Sequence, residues 1–149
     1  MRLIPVCLQV LLPALVALWL AWSMLFNPSK SGSLAGYNHT DRPVFSYWVD
    51  DNWGGNMDPY SWGSTTCCWS FQNDNVEVVW ILDVTPEDIE AGLEEERHSM
   101  TLPMPEHKQE DQYLHVHFLP DKNVDLVWSQ DIRSPKFDQY RNSEARHDE

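Results

Sequence analysis

Residues 3–26 carry no charge and are apolar almost throughout; after them the chain breaks into short runs where β-branched and aromatic residues mix with polar ones. The first stretch is close to the roughly 20 residues that cross a bilayer, and it predicts an N-terminal transmembrane helix within residues 1–26. The later runs predict strands over residues 44–49, 65–71, 76–82, 100–102, 113–119 and 124–129, each bounded by Gly, Pro, Asn or Asp. Alternation is imperfect in residues 77–81 and 124–128, as expected of strands covered partly on both faces. One helix is expected from Thr85: Thr as N-cap, Pro86 at the first helical position, Glu87 and Asp88 in the first turn, and Ile89 and Leu93 as a narrow apolar stripe. The predicted fold class is mainly β, a small antiparallel sandwich or barrel with one short helix, preceded by the transmembrane helix.

This pattern divides the chain into an anchor or uncleaved signal (residues 1–26), a Pro/Gly/Ser-punctuated linker (27–33), a β-rich domain (34–133) and a polar tail expected to be disordered (134–149). Arg2 and the amino terminus favour a cytoplasmic start, so the domain is expected on the far side of the membrane. The bulky end of the apolar run, with Trp19 and Trp22, reads as an interfacial belt rather than a cleavage site. The alternative is release after cleavage.

The net charge of -13, from 23 acidic and 10 basic residues, argues against nucleic acid, which needs clustered Lys and Arg. It favours a partner with a basic face. There is no nucleophile elbow, no His-Glu-x-x-His and no phosphate-cradling loop, so no cofactor and no catalytic residue is assigned. Residues 50–58 cluster acids and amides around Gly54 and Gly55 like a calcium loop, but Gly54 and Ser61 stand where the EF-hand needs ligands. A glycine-rich turn between strands is the better reading. His115 and His117 alternate along a strand and share a face, the weak candidates for a metal pair; His39, His98 and His107 sit in unrelated loops. Of the eight tryptophans, Trp48, Trp69, Trp80 and Trp128 are expected in the core. Trp53 and Trp62 are candidates for a binding surface.

Cys67 and Cys68 are adjacent, and Cys7 lies in the apolar run. Beyond the membrane thiols tend to oxidise, so three readings stand open: a vicinal disulfide that breaks the strand, two packed thiols, and a metal or redox role. The absence of Cys-x-x-Cys argues against thioredoxin-like exchange.

The ordered series of residues 35–43, Gly54-Gly55-Asn56 with Pro59 and Gly63, Thr66-Cys67-Cys68, and residues 116–120 resembles domain of unknown function 3304, an uncharacterised bacterial family of small cell-envelope proteins. The resemblance implies a secreted or lipid-anchored bacterial envelope protein; this chain lacks an acylatable cysteine after its apolar run, so its expected anchor is the helix itself, in the inner membrane with the domain in the periplasm. The resemblance also implies a protein-binding module, an immunity or accessory protein for a type VI secretion effector, with that effector's basic surface as partner. The alternative is an envelope enzyme or metal-binding protein using His115/His117 and Cys67/Cys68.

Overall fold

The computed structural model describes residues 6–25 and 29–144, with side chains for residues 13–22 and 29–141. Among these the chain runs α1 (Val6–Leu25), β1 (Lys30–Asn38), β2 (Val44–Val49), β3 (Asn52–Met57), β4 (Ser61–Phe71), β5 (Asn75–Leu82), α2 (Pro86–Glu90), β6 (Glu96–Pro103), β7 (Tyr113–Leu119), β8 (Asn123–Ser129) and α3 (Phe137–Glu144), with a 3-10 turn at Pro120–Lys122. The strands form two four-stranded sheets, β4-β1-β7-β8 and β3-β2-β5-β6. All pairs are antiparallel except β1 with β7, which run parallel; the expected antiparallel sandwich therefore holds one parallel pair.

The core lies between the sheets. Leu34, Leu114, Val116, Phe118, Val124, Leu126 and Trp128 of the first sheet meet Val44, Tyr47, Val49, Val76, Val78, Trp80 and Leu82 of the second. Phe118 joins the two layers, its ring 5.1 Å from that of Tyr47 and 5.7 Å from that of Trp80. The Tyr47 hydroxyl is buried without a hydrogen-bond partner, and burial raises its pKa. An orphaned buried hydroxyl costs stability, so Tyr47→Phe is expected to stabilise the domain by about 1 kcal/mol. Urea denaturation measures this; a loss of similar size would show that the hydroxyl is paired.

Several expectations change. Strand β1 already starts at Lys30, so the linker read over residues 27–33 is in part strand: Lys30 to Gly32 pair with β4, and Ser33 lies opposite Tyr113 of β7. Residues 26–28 lie outside those described. The glycine-rich turn is β3. It is glycine-rich because Gly54 lies under the Tyr47 ring, where a Cβ would overlap the ring carbons. Trp48 is not in the core. The β2–β5 and β2–β3 registers slip between Val44 and Tyr47, and that bulge turns Tyr47 and Val49 inward and Trp48 outward. Trp80 and Trp128 are buried, and Trp69 packs against the core edge.

Helix α2 starts as expected, with Thr85 and Asp88 forming a capping box, but Ile89 and Leu93 stay exposed. Beyond it, Glu96 fastens three parts of the chain, meeting Arg42, His98 and Lys122 at 2.6, 2.9 and 2.8 Å. Hydrogen bonds from Lys122 and then Arg42 lower its pKa to about 2. The tail expected to be disordered carries α3; residues 145–149 lie outside those described.

Helix α1 covers 20 residues, and among the described residues no helix is long and apolar enough to cross a membrane. The expected span covers residues 1–26, of which 1–5 and 26 lie outside those described.

Candidate functional site

The strand period places the first candidate cluster. Opposite the core face of the first sheet, Ala35 pairs with His115 and Tyr37 with His117 on β1 and β7, and His117 pairs with Asp125 on β8. This outer face is closed by the segment after β8. Ser134, Phe137 and Tyr140 lie over it: Phe137 is 5.9 Å from the Tyr37 ring, and Tyr140 is 5.2 and 5.1 Å from the rings of His39 and His117. His39, His117 and Ser134 are buried beneath or within this cover, and His115 is buried beside the Tyr37 and Tyr113 rings. The histidine pair thus shares a face, as its spacing predicts, and His39 joins it through the β1–β2 loop. His98 pairs with Glu96 and His107 packs on Trp128, both away from this cluster.

Hydrogen bonds run in a line. Ser134 Oγ lies 2.7 Å from His117 Nε2, and His117 Nδ1 lies 2.9 Å from His39 Nε2. The Tyr37 ring stacks on His117 at 4.7 Å. Tyr37 Oη donates to the Ile132 carbonyl and accepts from the Ser134 N–H. Asp125 takes hydrogen bonds from Lys136 and Tyr140. The Ser129 hydroxyl donates to the Asp131 carbonyl, so the 2.8 Å contact with His115 has His115 Nε2–H as donor. His115 Nδ1 is buried without a partner, which suits a neutral ring. Burial pushes the His115 pKa down to about 4. Burial, then the neighbouring His39 and His115, push that of His117 to about 3.

The order Ser134, His117, His39 is that of a nucleophile, a base and an orienting group. Its surroundings give it a structural role. Ser134 is only 4% exposed, its N–H is already donated to Tyr37, and a base titrating near 3 is poorly matched to proton transfer at neutral pH. Among the described residues there is no group of three His, Cys, Asp or Glu arranged to hold a metal ion.

Cys67 and Cys68 are joined as a vicinal disulfide across a cis peptide bond. Both are exposed on β4, an edge strand of the first sheet. They sit where the β1–β4 register slips between Gly32 and Leu34, so the strand accommodates the pair with a bulge.

The second candidate is the outer face of the second sheet. Trp53, Trp48 and Val79 stand opposite one another across β3, β2 and β5, and Trp53 is 47% exposed. Its indole donates to Ser46 Oγ at 2.7 Å, which fixes the ring on the sheet. Beside this row opens a cavity of about 370 Å³ lined by Trp48, Val79, Asp50, Asp51, Asn73, Glu77 and Arg97. Trp62, the other tryptophan expected at a binding surface, is 63% exposed but lies against Phe137 over the first sheet. The two therefore belong to different faces.

A family model described as Protein of unknown function (DUF3304) matches residues 37–126, more than half of the chain. The chain belongs to this family. No curated protein and no solved structure matches it. In this DUF3304 chain the matched segment contains the three clustered histidines and the whole Trp53, Trp48, Val79 row, and stops before Ser134 and α3.

Proposed function

We propose that this DUF3304 chain is a protein-binding module that presents the outer face of its second sheet to a partner with a basic surface. The observation that carries the reading is the contrast between the two faces. Ser134, Phe137 and Tyr140 lie over the first sheet's outer face, whereas the second leaves Trp53 exposed next to Trp48, with the exposed carboxylates of Asp51 and Glu77 lining the same cavity as Trp48. Aromatic anchors rimmed by charge are what a specific protein interface uses, and the net charge of -13 favours encounter with a basic partner.

In this reading the apolar N-terminal run holds the module at a membrane. The described side chains of α1, residues 13–22, are all exposed, among them Leu15, Leu18, Trp19 and Trp22, and the uncharged run of the sequence extends past them to residues 3 and 26. In this reading the membrane is a bacterial inner membrane and the domain faces the periplasm. The partner is a secreted effector, and the chain serves as its immunity or accessory protein.

The test is co-expression of the full chain with the products of its neighbouring genes, followed by affinity capture. One basic product is expected to co-purify, and Trp53→Ala is expected to weaken that complex by about 10-fold or more, as for an aromatic anchor. No complex with any neighbour, or a complex indifferent to Trp53→Ala, would sink the reading.

A further inference from the structure

The cavity beside Trp48 is more selective than a generally acidic surface. Trp48 and Val79 supply its apolar lining, and beside Asn73 it carries three carboxylates, Asp50, Asp51 and Glu77, against one guanidinium, Arg97, a balance of -2. Two of these residues are tied through the backbone. Asp50, in the left-handed region at φ 46°, donates its N–H to the Glu77 carbonyl at 2.7 Å, and Asp50 Oδ1 accepts from the Glu77 N–H at 3.0 Å. Asp50 and Glu77 are therefore fixed relative to each other across the β2–β3 turn and the start of β5. The side chains of Asp51 and Glu77 are exposed and make no hydrogen bond or ion pair with any described residue.

The chain itself shows which chemistry the lining accepts. Arg97, reaching from β6, places its guanidinium 5.8 Å from the centre of the Trp48 ring, a cation–π distance. One planar cation already rests on this ring, and two carboxylates without partners face the space beside it.

We propose that this groove receives a single arginine side chain from the partner protein, with Trp48 and Val79 as the apolar lining and Asp51 and Glu77 as acceptors. Arginine fits better than lysine because its planar fork both lies on an aromatic face and meets carboxylates with paired hydrogen bonds. Asp50 positions Glu77. Arg97, the one cation among the lining residues, already lies against the Trp48 ring.

This inference rests on the reading of the second sheet's outer face as the docking surface, and its test separates the two. The full chain, in mild non-ionic detergent, is titrated with acetyl-Gly-Arg-Gly-amide and with the citrulline counterpart, which keeps the shape and loses the charge. The indole N–H resonance of Trp48, identified by its loss in Trp48→Phe, is followed by NMR. The arginine peptide is expected to shift it and the citrulline peptide to leave it unmoved. In the Asp51→Asn, Glu77→Gln double variant, affinity is expected to fall by about 10-fold, as for two charge-assisted contacts. Equal shifts from both peptides, or undiminished affinity in the double variant, would overturn the groove. Either result leaves the wider reading intact, since that reading fails on partner capture with Trp53→Ala.

Discussion

Between pH 7.5 and pH 5 the folded domain is expected to lose about 4 kcal/mol of stability, most of it below pH 6.5. His115 and His117 are the cause. Their folded pKa values are depressed to about 4 and about 3, while in the unfolded chain each returns to about 6.5. Across the interval between these values the unfolded state binds the more protons, so stability rises with pH and falls as the solution is acidified. At pH 5 each histidine contributes about 2 kcal/mol of that loss. Every group packed around His117 belongs to the balance. His39 and His115 oppose a second positive charge, as does Lys136, whereas Asp125 favours it. The carboxylates act later. Burial opposes ionisation of Asp125, but Lys136 and Tyr140 together hold its pKa below the usual range, and Glu96 is held at about 2; their share is lost only as pH falls through the carboxylate range. Urea denaturation at half-unit pH steps measures the profile. A His115→Gln, His117→Gln double variant is expected to be less stable at pH 7.5 and nearly flat down to pH 5. A wild-type profile flat over the same interval would refute the buried neutral histidines.

The histidine face could be half read from the sequence. Period-two alternation puts His115 and His117 on one side of a strand, and the structure agrees. What covers them could not be read, because α3, Phe137–Glu144, has only Phe137 and Tyr140 to pack, and their partners lie on distant strands. Strand β1 hid for a related reason. Its residues, KSGSLAGYN, are small and polar, and its strand state comes from pairing on both sides, with β4 and β7. At Gly36 a Cβ would come within 2.7 Å of Met57 Sδ and 2.9 Å of the Tyr47 ring, so a residue that reads locally as a turn is required by a neighbour's bulk. By contrast, β2 and β7 have the bounds that their β-branched and aromatic runs predict. The sequence also misplaces Trp48, since one bulge in β2 is enough to change the face on which every later side chain falls.

Ending the chain after Gln130 is expected to destabilise the domain by at least about 3 kcal/mol and to erase the acid sensitivity together with the stability. The segment after Gln130 looks expendable in composition, yet its Ile132, Ser134, Lys136, Phe137 and Tyr140 supply the cover of the histidine face. Without them Tyr37 loses its contacts to the Ile132 carbonyl and the Ser134 N–H, His117 loses Ser134, and Asp125 loses both Lys136 and Tyr140. The rings of Tyr37, His39 and His117 also lose Phe137 and Tyr140. Each lost buried hydrogen bond costs about 1 kcal/mol where water can replace the partner, and uncovering aromatic surface adds to this. The second consequence is the more diagnostic. Once water reaches His115 and His117, the desolvation that depresses their pKa values disappears, so the truncated chain should bind no more protons unfolded than folded between pH 6.5 and pH 5. Stability measured against pH for both chains tests the two effects together. A truncated chain that is weakened but keeps the full acid slope would show that the strands alone bury the histidines, and one that is unaltered would remove the C-terminal segment from the fold's energetics.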